Sequence, residues 1–403
     1  MPVYFVIIPI LVLGALYSYI GWRLLSPLQL KKFVKRLAWM AVFLLAIFPM
    51  SSAFMRLTGI EGSVVDSLAW LSFISIGFTS IVFFFLLLKD LAVFMNFILA
   101  RIQSLFQPVA TTTVVESHLG LVGESRRNLL SKSVNLGVLG AAAVMTGTGV
   151  VEARQRFRIE KVNIPLDRIT KNFDGFRIVQ LSDIHVGPTI KGDFVKEIVD
   201  RANALEPDII VITGDLVDGS VDYLKKDVEP LRNLNAKIGK YFVTGNHEYY
   251  SNVFPWIDKM RELGMDVLMN EHRVITRNNS NLVIGGVNDL RAEQIVPEHK
   301  TNAAASLAGA PKAEANILLA HQPVSVYEAE KAGYDVQLSG HTHGGQYFPF
   351  NKLINIAQPF VAGIYQYKNT CLYVNRGTGY WGPPIRIGSP AEITELSLSS
   401  SNT

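Results

Sequence analysis

Within its first 90 residues the chain carries three runs without a charged side chain: Val3–Trp22, Leu37–Met55 and Ser67–Leu88. A helix of about 20 apolar residues spans a hydrocarbon core of ~30 Å, so each run is long enough to cross a membrane. Three such runs so close together do not fit the buried helices of a single globular core. Lipid is the solvent that accepts them. Tyr17, Tyr19, Trp22, Trp39 and Trp70 stand near the run ends. Amphipathic rings prefer the membrane interface at such positions.

A fourth stretch, Ser133–Val151, is richer in Gly, Ala and Thr and is expected to span as well. Before it comes Ser125-Arg126-Arg127-Asn128-Leu129-Leu130-Ser131-Lys132, spanning 125–132, with paired arginines, two apolar residues and a lysine. That order resembles a twin-arginine export signal; the other reading is an ordinary basic flank of a helix. Loop charges suggest the topology. Arg23, Lys31, Lys32, Lys35 and Arg36 lie between the first two runs with no acid among them, which places that loop in the cytoplasm. The next loop carries Arg56 against Glu61 and Asp66, as expected outside. Lys89, Arg101, Arg126, Arg127 and Lys132 follow the third run, as expected inside. The expected location is therefore the cell membrane, multi-pass, with the large carboxyl-terminal domain extracytoplasmic. Arg154, Arg156, Arg158 and Lys161 pull the other way, and a fourth stretch that failed to span would leave that domain in the cytoplasm.

The charge balance separates the two parts. Residues 1–153 hold 11 Lys/Arg against 6 Asp/Glu, whereas 154–403 hold 27 against 28. The expected division is thus a transmembrane region, 1–153, with spans about 3–22, 37–55, 67–88 and 133–151, followed by a domain over 154–403. A nearly neutral domain argues against nucleic acid as a partner, which needs a basic face. The lone cysteine, Cys371, excludes an intrachain disulfide and a cysteine-built zinc site.

From about Phe157 short apolar runs alternate with helical patterns. Residues 177–181, 208–213, 241–244 and 316–320 read as buried strands, and Phe194–Leu205 and Val324–Ala332 as amphipathic helices. Such alternation implies a layered α/β domain. The Ser-rich end, Ser397–Thr403, is expected to fray. Polar clusters follow the strands: Ser182-Asp183-Ile184-His185, Gly214-Asp215-Leu216-Val217-Asp218, Gly245-Asn246-His247-Glu248, His321, and Gly340-His341-Thr342-His343-Gly344-Gly345. Five of the eight histidines sit in them. Ligands in open α/β sheets gather at the carboxyl ends of strands, so all five clusters can converge.

Imidazole and carboxylate together suit Zn, Mn or Fe. Asp183-x-His185 offers two ligands on one side of an extended segment, and His341-x-His343 repeats the device. Asp215 can bridge two ions through its two oxygens, and Asn246 adds a neutral amide oxygen.

The motifs D-x-H, G-D-x-x-D, G-N-H-[DE], a lone H and G-H-x-H, in this order over residues about 170–398, resemble the calcineurin-like metallophosphoesterases. The chain looks closest to their YkuE-like bacterial branch, whose members often carry a twin-arginine signal or membrane helices. The tail Arg376-Gly377-Thr378-Gly379-Tyr380-Trp381-Gly382-Pro383-Pro384 is also similar to that branch. The resemblance implies a sandwich of two β-sheets flanked by helices, and two divalent metal ions (Mn, Fe or Zn). Asp183, His185, Asp215 and His343 would hold one ion. Asp215, Asn246, His321 and His341 would hold the other. His247 would be the catalytic histidine near the leaving group. Glu248 stands where many relatives have Asp, and Asp218 is expected to brace its loop rather than bind metal.

The implied activity is hydrolysis of a phosphate ester or pyrophosphate bond by hydroxide activated at the two ions. The anchor favours a membrane lipid or envelope substrate. The apolar segments Tyr347–Ile356 and Pro359–Tyr365 start beside the last metal motif; they would wall a lipid tail or pack against the core. The alternative is a non-catalytic membrane scaffold or sensor that keeps the fold, yet none of the expected ligands is missing.

Overall fold

The computed structural model describes residues 4–106, 119–155 and 157–400. The chain divides into two compact units, Met1–Gly59 with Leu71–Thr148 and Ile60–Trp70 with Gly149–Thr403.

Four helices dominate the amino-terminal part: α1 (Tyr4–Leu25), α2 (Lys32–Leu57), α3 (Ser63–Phe106) and α4 (Leu119–Gln155). Each contains a stretch long and apolar enough to cross a membrane. The helices outrun the charge-free runs because a charge ends an apolar slab without ending a helix. At 1.5 Å per residue the 44 residues of α3 extend to roughly twice the hydrocarbon thickness. Polar residues link three of these helices. Tyr19 Oη donates to Asp90 Oδ2 at 2.7 Å, Arg23 pairs with Asp90, and Lys89 Nζ donates to Asn135 Oδ1 at 2.6 Å. Ser125–Lys132 lies within α4, where side chains before Leu129 fall outside the described ones.

The second unit holds twelve strands: β1 (Phe157–Leu166), β2 (Arg177–Leu181), β3 (Ile209–Thr213), β4 (Gly239–Val243), β5 (Asp266–Val267), β6 (Glu271–Arg277), β7 (Ser280–Gly286), β8 (Ala315–Leu319), β9 (Val336–Ser339), β10 (Gly363–Tyr367), β11 (Thr370–Val374) and β12 (Ala391–Ser400). They form two six-stranded sheets, β1-β12-β2-β3-β4-β5 and β10-β11-β9-β8-β7-β6. The helices are α5 (Gly192–Asn203), α6 (Val221–Val228), α7 (Asn246–Tyr250), α8 (Val253–Glu262), α9 (Ala303–Leu307), α10 (Val326–Ala332) and α11 (Phe350–Ala357).

Pairing is parallel along β2-β3-β4-β5 and along β11-β9-β8-β7. Central parallel strands are covered on both faces, which is why β3, Ile-Ile-Val-Ile-Thr, is apolar and buried throughout. Ile178, Val211, Ile284, Ile317, Leu338 and Tyr373 fill the space between the sheets. Val195, Ile198, Leu224, Trp256 and Met260 cover the outer face of the first sheet. Leu318, Ala329 and Tyr334 belong to the core outside the second. The architecture is the expected sandwich of two sheets flanked by helices. Parallel order sends the carboxyl ends of β2, β3 and β4 to one edge, with those of β8 and β9 opposite.

The carboxyl end is a strand rather than a frayed tail. Ser397–Ser400 pair with Asn163–Leu166 in β12, and residues 401–403 lie outside the described ones. Leu396 and Leu398 are buried on one face with Ser397 between them, a period-two pattern that the serine content hides.

Candidate metal centre

The loops after β2, β3, β4, β8 and β9 bring the five polar clusters together. Three groups have ligand atoms within 4.8 Å of one another: Asp183, His185 and His343; His185, Asp215 and His247; and Asp215, His321 and His341. His185 Nε2 lies 3.1 Å from His343 Nε2, which is 3.4 Å from Asp183 Oδ1. On the other side His321 Nε2 lies 3.1 Å from Asp215 Oδ2 and 3.2 Å from His341 Nδ1. Asp215 Oδ2 is also 3.9 Å from both His185 Nε2 and His247 Nε2. Asp215 is therefore shared by the two halves of the centre. Asn246 opens α7 beside it; its Oδ1 is buried and meets no hydrogen-bond donor among the described residues.

Convergence is achieved by the backbone, not by strand alternation. The expectation of an extended Asp183-x-His185 segment fails: Asp183 and His185 have φ of 52° and 56°. Asp215, His341 and His343 are also left-handed, at 51°, 73° and 51°. Each such residue costs about 1–2 kcal/mol. The chain leaves the sheet there and turns its side chains inward, which a straight strand cannot do. Gly340 permits the closest approach: a Cβ there would stand 2.1 Å from Asp183 Oδ2 and 2.0 Å from Ser182 Oγ.

Surrounding groups fix the ring orientations. His321 Nδ1 donates to the Thr213 carbonyl at 2.8 Å, leaving Nε2 for the centre. Asp218 bonds His247 Nδ1 at 2.5 Å through Oδ1 and stands 3.2 Å from His185 Nδ1 with Oδ2, a charge contact rather than a hydrogen bond. Asp218 thus orients two rings, beyond the loop-bracing expected of it. Glu248 is buried, and its carboxylate accepts the backbone N–H of Gly245 at 2.6 Å, Leu216 at 2.7 Å and Asp215 at 3.0 Å. It ties the β3 loop to the β4 loop and so positions Asp215. Arg386, also buried, donates to the carbonyls of His343 and Arg376 at 2.9 Å and 2.8 Å and lies against the His343 ring. Nothing in the sequence pattern singles Arg386 out; it lies two residues beyond the Arg376–Pro384 tail. Tyr250 and Trp381, both exposed, flank His247 at ring-centre distances of 5.3 Å and 5.6 Å.

The electrostatics are those of a cation site. Burial pushes His341 down to about 3, and the charge of His321 adds to the effect. Burial likewise holds His343 well below its usual range, so both rings keep a lone pair free for a ligand bond. Burial alone would lower His321, but Asp215 beside it raises it well above the ordinary value. Burial alone would raise Asp215; His321, His247 and His185 hold it far down instead. Burial opposes protonation of His247, yet Asp218 and Asp215 lift it to about 9. Burial and Asp215 raise Glu248 to about 7. Carboxylates and imidazoles this densely packed call for positive charge at their centre, and the unpartnered Asn246 oxygen points the same way. The donor set of Asp, His and Asn fits Mn, Fe or Zn.

Residues 176–345 match the family model described as calcineurin-like phosphoesterase. A Danio rerio protein named transmembrane protein with metallophosphoesterase domain is 32% identical over 409 residues, covering 96% of this chain and 87% of its own. An uncharacterized metallophosphoesterase of Helicobacter pylori is 36% identical, covering 69% of this chain and 74% of its own. The uncharacterized metallophosphoesterase YkuE of Bacillus subtilis is 33% identical, over 69% of this chain and 99% of its own.

Proposed function

This chain belongs to the calcineurin-like metallophosphoesterases, and from that premise we propose that it is a multi-pass membrane enzyme hydrolysing a phosphate ester at a two-metal centre. The observation that carries the reading is Asp215, whose carboxylate stands between His185 on one side and His321 on the other. Asp183, His185, Asp215 and His343 would hold one ion, and Asp215, Asn246, His321 and His341 the second. Divalent ions bound there would lower the pKa of a water and offset the charge of the phosphate oxygens. With Nδ1 taken by Asp218, His247 turns Nε2 inward, where it would donate to the departing oxygen. A complete ligand set argues against the scaffold reading. The full-length protein in nanodiscs with Mn is expected to release nitrophenol from bis-p-nitrophenyl phosphate or p-nitrophenyl phosphate. EDTA should abolish this and added Mn restore it; turnover indifferent to the chelator would contradict the reading.

The catalytic unit is proposed to be extracytoplasmic. The turn between α2 and α3 grips it: Glu61 accepts Ser220 N–H at 2.8 Å and Ser220 Oγ–H at 2.5 Å, and Asp66 takes Lys191 Nζ at 3.2 Å together with Tyr223 Oη. That turn and the domain would therefore share a side, and the positive-inside rule assigns the basic α1–α2 connection to the other. The opposing basic cluster after the fourth apolar stretch is partly used in contacts, Arg154 with Asp193 and Lys161 with Glu395. With Cys371→Ser as background, Ile295→Cys in intact cells is expected to react with a membrane-impermeant maleimide. Labelling only after permeabilisation would place the domain inside.

A further inference from the structure

Helix α11 has no buried residue. Phe350, Leu353 and Ile356 are 43%, 48% and 85% exposed, and with Ala357 they fall within an arc of about 120°. Lys352 is the one charged residue between Tyr347 and Tyr367. The helix therefore does not simply pack against the core, one of the two readings of its sequence, whereas Phe360 and Tyr365 beyond it do pack against a buried cluster. The Phe350 ring leans on Tyr347, and only Asn351 and Ile354 turn partly inward.

The position of this helix decides what covers it. The last turns of α4 belong to the same compact unit as α11. Within them Gly149, inside an apolar stretch long enough to span a membrane, is packed so closely that a Cβ would stand 2.4 Å from Ile385. Arg386 N–H donates to the Gly149 carbonyl at 3.0 Å. Asn351 Nδ2 of α11 donates to the Ile387 carbonyl of that same loop at 3.2 Å. One loop thus separates the membrane-entry end of α4 from α11. The loop also begins at Trp381, 52% exposed, beside His247. Glu61, just before α3, holds Ser220, two residues beyond Asp218. The start of α3 meets the end of α4 nearby, with the Arg154 guanidinium 5.7 Å from the Trp70 ring centre.

We propose that the face formed by Phe350, Leu353 and Ile356, with Trp381 beside it, docks into the bilayer surface and turns the centre toward the headgroup layer. The proposal rests on reading α3 and α4 as membrane spans. An apolar stripe on a short helix with a cationic and an aromatic flank suits the boundary between acyl chains and headgroups, and Lys352 suits anionic phosphate there. Substrate would then be a phosphate ester carried by a lipid, presented from the membrane plane.

The test uses the full-length chain in vesicles of phosphatidylcholine and phosphatidylglycerol. In a Cys371→Ser background, Ile356→Cys carries a nitrobenzoxadiazole probe, with Ile238→Cys, exposed just before β4 at the other end of the sheet, as reference. Quenching by acyl-chain doxyl lipid at 356 but not at 238, with iodide quenching reversed, is the expected result. Equal iodide quenching at both sites overturns the proposal. So does shielding at 356 from both quenchers, which would mean a second protein copy covers the face. This readout needs no turnover, so an inactive enzyme would fail the phosphoesterase reading alone. In an active preparation, the double substitution Leu353→Asp/Ile356→Asp is expected to slow hydrolysis of bilayer-embedded hexadecyl p-nitrophenyl phosphate by about tenfold or more. Bis-p-nitrophenyl phosphate in solution should be hydrolysed as before; equal loss on both substrates overturns the proposal.

Discussion

Asp218 Oδ1 lies 2.5 Å from His247 Nδ1, and this pairing turns His247 Nε2 toward Asp215 Oδ2, 3.9 Å away. The same carboxylate reaches His185 Nδ1 with its other oxygen. One side chain therefore aligns a ring assigned to metal and a ring assigned to the leaving group.

His247→Ala is expected to lower kcat by about 10²–10⁴-fold with metal content unchanged. Metal analysis alongside kinetics separates the roles, because His247 also stands within ligand range of His185 and Asp215. Loss of metal would make His247 a ligand. Asp218→Asn should lower kcat too, since it disturbs two rings at once.

Glu248 offers a test of positioning. Its carboxylate accepts several backbone N–H groups from the loops after β3 and β4. Charge-assisted bonds of this kind contribute about 1.5–3 kcal/mol each at most, and they are not additive. Glu248→Ala is expected to lower Tm by about 5–10 °C and to reduce metal affinity, as both loops loosen. Glu248→Asp, too short to reach both loops, should recover only part of the loss. A scan of Tm with and without Mn checks this.

Gly340→Ala places a methyl group against Ser182 Oγ and Asp183 Oδ2. Both atoms are buried, so the contact is relieved by moving Asp183. The expected outcome is loss of metal at the Asp183, His185 and His343 half, with the fold retained by circular dichroism. Full metal content in this variant would show that Asp183 is not a ligand.

The turn carrying Glu61 is expected to act on turnover rather than on stability. A partly exposed carboxylate contact contributes at most about 1 kcal/mol. Glu61→Ala in the full chain should therefore leave Tm nearly unchanged, while kcat falls about 2–5-fold as the Ser220 and Asp218 segment loosens. Glu61→Gln, which still accepts from Ser220 N–H, should fall less. Identical kcat in all three proteins would remove this turn from the account.

The order of polar clusters after apolar runs made the strand ends, and with them the place of the centre, legible before any coordinates. β3 could be read because a fully buried parallel strand has little choice but Ile and Val. The two-residue β5 is too short to be seen, and the edge strand β10 has no buried residue to mark one face. The left-handed turns at Asp183 and His185 were not legible, because residue type alone does not fix the sign of φ at a non-glycine position. Nor were the double duty of Asp218, the loop clamp of Glu248 and the buried Arg386. These rest on hydrogen bonds between segments about 30 to 40 residues apart, such as Leu216 N–H to Glu248, and neither periodicity nor spacing records them. The serines of β12 misled for a different reason, since composition masked an alternation that only the pairing partner β1 makes useful.

The most direct test of the central claim is the metal stoichiometry of the full-length protein and of Asp215→Asn, measured by plasma mass spectrometry after loading with Mn and removal of excess. Two ions per chain in the native protein, with loss from both halves in Asp215→Asn, is the predicted result, because in the proposed ligand sets this carboxylate alone belongs to both ions. One ion per chain, or a variant that keeps both, would contradict a centre built around Asp215.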